Sequence, residues 1–568
     1  MTQQQKETKA QRAERLKAAK NPWEALEELR AFCRHGFEAI PPDWLSTYLR
    51  WWGVYTQGDG AGALGGVGGE GRAVPFFMLR IRIPGGFLLA HQLRTVAHIA
   101  ERYTRGIADI TVRQNIQLHW IAAEALPEVL DSLFRCGLTS IASCGDDARN
   151  VTGCPLAGLD AHEIFDASPL VFEASRMLAG NADFYNLPRK YKICITGCPI
   201  WCSYPEINDL ALTAVQRSRN GRAEFGFSLR VGGGLSTQPH FALPLGVFVR
   251  REQALPVIRA ATEIFRDSAV LRESRDRARL KFLFLHHGWT AARFRQELER
   301  RLGYSLEPDE SAEAVPEDVH RDHAGIHPQK QPGLCYVGLS IQRGRATAEQ
   351  LRAVADLSER FADGRLRTTN AQNLIIVNVP LQNSVPVAHE LGILGLHVEA
   401  SPFWRGTIAC TGAEFCKLAI TETKSFSRWL AEELEERLPE FDQQLKLHVT
   451  GCPNSCGQHW IADIGIEGKK IKAAGQLADA YYFCLGGGTG KHAALARPVG
   501  YRCLAAEVPD VIERLLRCYL NLRSPGETLR EFFARYRDED LRSFLAGCRV
   551  QAVARDLPAG RVPPQLDG

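Results

Sequence analysis

The sequence predicts a duplicated α+β fold, in which two small units of ferredoxin-like character alternate with two larger α/β domains. Three observations predict it. Residues 92–115 align without gaps on residues 350–373, with eleven of 24 positions identical. A second echo sets Lys192-Ile-Cys-Ile-Thr-Gly-Cys198-Pro-Ile-Trp-Cys202 on Lys446-Leu-His-Val-Thr-Gly-Cys452-Pro-Asn-Ser-Cys456, after which Asp209 falls on Asp463. The chain has 568 residues, and a single core stops growing near about 250–300, so several domains are required.

The first repeat justifies the small unit. An alternating strand at 76–83, or 335–341 in the second copy, leads to a helix whose apolar residues Leu93, Val96 and Ile99, or Leu351, Val354 and Leu357, recur at helical spacing. A second strand follows at 116–121 or 374–379. The second echo reads as strand, tight loop, strand, and belongs to each larger domain. Beyond Tyr501 the pattern turns helical, at 508–522 and 528–545, and ends in a Pro-rich tail expected to fray. The division that results is an N-terminal extension (1–72), a first half-domain (73–140), a first larger domain (141–306), a linker with the second half-domain (307–400), and a second larger domain with a helical C-terminus (401–568).

Composition narrows the class. With 45% hydrophobic and 24% charged residues the chain is neither disordered nor fibrous. The first twenty residues are rich in Gln, Lys, Glu and Arg and lack the apolar core of a signal peptide, and no segment reaches the roughly 18 apolar residues of a membrane span. A cytoplasmic location without membrane contact is therefore expected. A net charge of +4 with no basic run argues against nucleic acid as a partner. Sixteen cysteines without an export signal read as ligands, catalytic groups or small buried residues rather than disulfides.

The sharpest chemical signal is Cys410-Thr-Gly-Ala-Glu-Phe-Cys416, followed by Cys452-Pro-Asn-Ser-Cys456. Four thiolates brought together on Gly- and Pro-containing loops suit a [4Fe-4S] cube. The reading places Cys416 in the first turns of a helix running to Leu438, and the second pair in a loop between strands. Spacing alone also allows a four-thiolate zinc site or unrelated buried cysteines.

Five residues between the first pair and three between the second, in a duplicated chain of this length, resemble the siroheme-containing nitrite and sulfite reductases. The resemblance runs from about Trp51 to Leu545. It extends to Thr111-Val-Arg-Gln114, Asp147-Ala-Arg-Asn150, Leu187-Pro-Arg-Lys-Tyr-Lys192, Val231-Gly-Gly-Gly-Leu-Ser236 and Leu485-Gly-Gly-Gly-Thr-Gly490. It implies a siroheme and a [4Fe-4S] cluster as cofactors, Cys410, Cys416, Cys452 and Cys456 as cluster ligands, and Cys456 as the bridge from the cluster to the siroheme iron. It also implies six-electron reduction of sulfite or nitrite, with a ferredoxin or similar small protein as donor.

Siroheme is a polycarboxylate and its substrates are anions, so the site needs fixed cations; Arg offers a bidentate fork and Lys a point charge and a proton. By motif position, Arg113, Arg149, Lys190 and Lys192 resemble the family's quartet around the bound oxyanion. Arg113, Asn115, Arg189 and Gly233 are expected to contact the siroheme, the Gly-rich runs 232–234 and 486–488 fitting close backbone approach. Neither run is a nucleotide loop, because Leu485 and His492 occupy positions a Walker motif reserves for Gly and for Ser or Thr. Electrons are thus expected from another protein.

Cys144, Cys154, Cys194, Cys198 and Cys202 in the first half could bind something of their own; the resemblance supplies no second cluster there, and remnants of duplication are the preferred reading. Tyr55 is either near the substrate or a core aromatic. Lys190-Tyr-Lys192 resembles the sulfite reductase version of its motif, whereas Pro155-Leu-Ala-Gly158 resembles the nitrite branch; the reading leans to sulfite. A non-catalytic iron-sulfur carrier would explain the four cysteines but neither the basic quartet nor the duplication, and a zinc-stabilised binding protein would explain only the cysteine count.

Overall fold

A computed structural model describes residues 7–64, 69–309, 315–316 and 321–547. The Pro-rich tail expected to fray lies outside the described residues. Among the described residues the strands form four five-stranded sheets, two small and two large. The first small sheet orders Val54–Gly58, Ala73–Ile81, Ile116–Ala122, Ile107–Ile110 and Arg345–Thr347; the second orders Gly325–Pro328, Leu334–Leu339, Leu374–Pro380, Arg365–Thr368 and Phe87–Leu89. Each small sheet takes its last strand from the other half of the chain. Arg345–Thr347 pairs antiparallel with Ile107–Ile110, and Phe87–Leu89 with Arg365–Thr368. The exchange pairs two sheet edges that would otherwise present unsatisfied backbone groups. It also makes the two halves inseparable, which a repeat read along the sequence does not reveal. The strand Val54–Gly58, which the sequence division leaves in the N-terminal extension, is an edge of the first small sheet.

The helices Ala90–Tyr103 and Ala348–Phe361 bury Leu93, Val96 and Ile99, and Leu351, Val354 and Leu357. Both small units contribute to one continuous apolar core. The contact between the helices is self-complementary: Arg94 pairs with Glu359 at 2.7 Å, and Arg352, its equivalent, pairs with Glu101 at 2.5 Å. A pseudo-two-fold axis therefore passes between them.

The large sheets are mixed. In one, Ile193–Thr196 lies parallel to Leu210–Arg219, which continues antiparallel through Arg222–Val231 and Leu243–Arg250 to Glu307–Pro308. In the other, Thr407–Ala409, Leu447–Thr450 and Ile464–Ala473 are parallel, followed by antiparallel Gln476–Leu485 and Arg497–Leu504. The helix Val508–Leu522 forms as expected, but the expected 528–545 helix is two, Leu529–Arg535 and Asp538–Ala546. Tyr536 is extended (φ −106°, ψ 152°), and Asp540 caps a fresh start at Arg537. No described helix is long and apolar enough to cross a membrane.

Twin bonds fix the loops that matter. Asp209 accepts from the Lys192 backbone N–H at 2.8 Å, and Asp463 from that of Lys446 at 2.7 Å. Gln114 and Gln372 both hold positive φ (59° and 62°). Gln114 accepts from Gly153 N–H and Gln372 from Ala409 N–H, each at 3.1 Å, while their amide groups donate to carbonyls of both halves.

Candidate active site

Cys410 follows Thr407–Ala409, and Cys452 and Cys456 follow Leu447–Thr450, so three of the four motif cysteines lie at the carboxyl ends of adjacent parallel strands. That end of an α/β sheet is where ligands collect. Cys410 N–H donates to Val449 O at 3.1 Å, and Gly451 N–H points at the Cys410 sulfur at 3.2 Å. Cys416 is not in the helix expected to contain it, which begins only at Lys424. The chain doubles back instead: Ala413 N–H reaches Thr421 O at 2.9 Å and Ile420 N–H reaches Gly451 O at 2.7 Å. Gly412, at φ 70°, permits the turn, and any Cβ there would meet the Thr423 hydroxyl at 2.4 Å. The fold-back carries Cys416 toward the other three. Burial, then the charge of Cys456, raises the thiols of Cys410 and Cys416, the latter to about 12, and the same causes raise Cys452. Three thiols whose ionisation is opposed by burial and by the fourth sulfur are part of a donor set for a cationic centre.

The loop also joins the halves. Gly58 N–H donates to Phe415 O at 2.9 Å, Ala63 N–H to Ala419 O at 2.7 Å, and Phe415 stacks on His119 with ring centroids 4.2 Å apart.

The four predicted cations gather from separate elements of the first half. Arg113 donates to Asn208 Oδ1 at 2.8 Å and to Asn150 O at 2.7 Å; Arg149 donates to Ser143 O at 3.0 Å and Gly145 O at 2.7 Å. The Nε of each is buried without a partner. Lys190 and Lys192 flank the buried Tyr191. Burial, and then the charges of Arg189, Arg279 and Arg149, hold the Lys190 ammonium down to about 7, while the Cys456 sulfur pulls it up. Lys192 is held well below the ordinary lysine range by burial and by Arg113, Arg279 and Lys190, with Asp209 opposing. Asp209 is itself engaged by Arg279 at 3.0 and 2.7 Å. The electrostatic coupling of Lys190 to Cys456 places the basic cluster of the first half against the cysteine loop of the second.

The remaining expected contacts have other work in the structure. Arg189 donates to Asp146 at 3.2 Å, a carboxylate shared with Lys17 and Arg275. Asn115 is buried and accepts from Ile83 N–H at 3.4 Å, as Asn373 accepts from Ile341 N–H at 2.8 Å, so both copies use it to hold a turn. Gly233 is required by the protein itself: a Cβ would lie 2.5 Å from both Asn208 O and Glu206 O, and its equivalent Gly487 faces Trp460 O at 2.6 Å. Close approach of backbone carbonyls by itself requires glycine at both positions. Tyr55 sits on its strand with its hydroxyl accepting from Gly145 N–H at 3.3 Å and hydrogen-bonded to the Arg149 side chain.

Residues 144–306 and 401–543 match the nitrite and sulphite reductase 4Fe-4S domain, and residues 71–134 and 327–392 the nitrite/sulfite reductase ferredoxin-like half domain. The chain belongs to the nitrite and sulphite reductase family. It is 36% identical over 538 residues to an assimilatory ferredoxin-dependent nitrite reductase of Haloferax mediterranei, covering 89% of this chain and 88% of that one. It is 38% identical over 541 residues to a ferredoxin sulfite reductase of Mycobacterium tuberculosis, covering 93% and 95%. The solved structure of M. tuberculosis NirA superposes with a TM-score of 0.87 at 37% identity, covering 94% of this chain and 97% of that one.

As a member of this family the chain presents a donor set that fits both expected groups. The four motif cysteines suit an iron-sulfur centre. Beside them, cations with unpartnered buried Nε atoms and ammonium groups depressed by like charge suit a polycarboxylate and a small anion. Sequence reasoning missed Arg279, whose charge reaches Arg113, Lys190 and Lys192. It lies in a basic stretch, 275–279, that reads as surface, and only its pairing with Asp209 distinguishes it.

Proposed function

We propose that this member of the family reduces a small oxyanion by six electrons, sulfite to sulfide by preference, nitrite to ammonia as the second reading, with a ferredoxin or similar small protein as donor. The observation that carries the reading is the set of crowded cations in the first half, of which Lys190 feels the Cys456 sulfur of the second. Bound siroheme coupled to a [4Fe-4S] cluster would supply the electron transfer and the iron that receives the substrate. Cys410, Cys416, Cys452 and Cys456 would hold the cluster.

The chain's own residues then have separable tasks. Arg113 and Arg149 keep their guanidinium groups in place through backbone carbonyls and Asn208, each with a buried Nε that has no partner in the protein. Lys190 holds a proton on Nζ that is acidic for a lysine, and an anion beside it would favour the charged form until the proton is passed to a leaving oxygen. Lys192 adds a second charge whose compensation by Asp209 is shared with Arg279.

The preference for sulfite rests on Lys192, because a further cation favours the more highly charged anion. The named relatives divide between sulfite and nitrite at similar identity. The test is anaerobic turnover of the purified holoenzyme with reduced ferredoxin, comparing kcat/KM for the two anions in the natural chain and in Lys192→Asn. A higher value for sulfite, shifted toward nitrite by the substitution, supports the reading. A higher value for nitrite in the natural chain selects the second reading, and turnover of neither removes both.

A further inference from the structure

Cys154, Cys202 and His323 bring their ligand atoms within 4.8 Å of one another, and all three are buried. They lie outside the candidate active site. The place they occupy is the pseudo-symmetric counterpart of the cysteine loop in the second half, and two registers establish this. Thr152 bridges parallel to Cys194 as Ile408 pairs with His448, which sets Cys154 on Cys410. The Gln114 bond to Gly153 and the Gln372 bond to Ala409 give the same correspondence. Cys198 and Cys202 then stand where Cys452 and Cys456 stand, while the position of Cys416 is taken by Asp160, which pairs with Arg321.

The two sites differ in size. Among the described residues the group whose ligand atoms close to within 4.8 Å is Cys154, Cys202 and His323, with Cys198 outside that radius, and the cysteine loop of the second half forms no such group. The Cys154 and Cys202 sulfurs are 3.6 Å apart. Tetrahedral thiolates at the zinc–sulfur distance of about 2.3 Å are separated by about 3.8 Å. A disulfide would require about 2.05 Å. The spacing therefore suits one ion rather than a cube or a covalent bridge.

His323 supplies the independent sign of a ligand. Its ring is fully enclosed, and neither Nδ1 nor Nε2 has a hydrogen-bond partner. Such a group normally costs free energy unless something is bound to it. Its backbone is held at φ 63°, with its carbonyl so close to Gly338 that any Cβ there would collide at 1.7 Å. The neighbouring Asp322 is clamped by Arg405 at 2.7 and 2.8 Å. The ring is thus fixed before any ion arrives. Cys198 packs in the same buried cluster as Cys154 and Cys202.

We propose that Cys154, Cys202 and His323, with Cys198 of the same buried cluster as the fourth ligand, form a structural Cys3His site for a single zinc ion, built on the remnant of a duplicated cluster loop. On binding, the three thiol protons leave to solvent, and three thiolates with one dication carry one net negative charge. Arg321, whose field reaches Cys198, Cys202 and His323, offsets part of it while pairing with Asp160. The ion would tie the loop after Ile193–Thr196 to the approach of Gly325–Pro328, and so brace the strand that follows Lys190 and Lys192 against the second small sheet. This inference does not depend on the identity of the reduced anion.

The test is elemental analysis of the purified full-length holoenzyme, with zinc and iron counted per chain, together with zinc-edge X-ray absorption. The expected result is about one zinc per chain with a shell of about three sulfurs and one nitrogen. Cys202→Ser and His323→Ala should lose most of that zinc while iron per chain is unchanged. Should either variant fail to fold, the absorption spectrum of the natural protein decides alone. Absence of zinc, an oxygen-rich shell, zinc retained by both folded variants, iron in place of zinc, or a Cys154–Cys202 disulfide found by mass spectrometry each overturns the proposal.

Discussion

Lys190 offers the most direct test of the basic pocket. Among the protein's own charges its ammonium falls from the ordinary 10.5 to about 7, a shift worth about 5 kcal/mol at 1.36 kcal/mol per unit. An adjacent anion opposes that depression by favouring the charged form. The stabilisation expressed only as charge develops on a departing oxygen is smaller, about 3–4 kcal/mol by comparison with single oxyanion donors, or about 10²–10³ in kcat. Lys190→Met should therefore keep the siroheme absorbance and lose that factor in steady-state ferredoxin-driven turnover. The pH profile gives a second readout. A lysine is charged below its pKa, so the natural enzyme should lose kcat/KM as pH rises through a value at or above about 7, cofactor carboxylates moving the limb upward. Lys190→Arg should flatten that alkaline limb, because a guanidinium stays charged. Full activity in Lys190→Met with normal cofactor content, or an unchanged alkaline limb in Lys190→Arg, would refute the reasoning.

Three further outcomes are expected. Cys452→Ser should purify with about four fewer irons per chain and without the cluster's visible absorption; iron content equal to that of the natural chain would remove Cys452 from the ligand set. Asp146→Asn leaves Lys17, Arg189 and Arg275 around a neutral group and should cost about 3–5 kcal/mol at pH 7 by denaturant unfolding. Those cations hold the carboxyl well below its ordinary range against burial, so the contribution is present above the unfolded value of 3.8 and the difference between the proteins should narrow as pH falls below about 5. Gly487→Ala sets a Cβ 2.6 Å from Trp460 O and 2.8 Å from Ala462 O; it should destabilise by about 1–3 kcal/mol in thermal melts, whereas Gly392→Ala, on a helix with open space around it, should be neutral or stabilising by up to about 1 kcal/mol.

The duplication, the helices bearing Leu93 and Leu351 and the strands around them were legible because hydrophobic periodicity and repeated identity are local signals. The two cysteine pairs and the basic motifs were legible for the same reason, each being a short run of fixed spacing. Cys416 was misplaced in a helix because the fold-back that carries it depends on Gly451, 35 residues further on, accepting from Ile420. Gly233 announces close approach without saying to what, and only the structure adds that the carbonyls of Asn208 and Glu206 crowd it.

The sequence by itself determined that the chain is a duplicated member of the family with two spaced pairs of motif cysteines in its second half and basic motifs in its first. Only the tertiary structure decided that the halves exchange strands, that Arg279 joins the basic cluster through Asp209, and that His323 reaches Cys154 and Cys202. The physical reason is common to all three. Strand pairing, ion pairing and ligand convergence depend on distances through space between residues about 70 to more than 250 positions apart, and no local pattern of propensity or spacing encodes them.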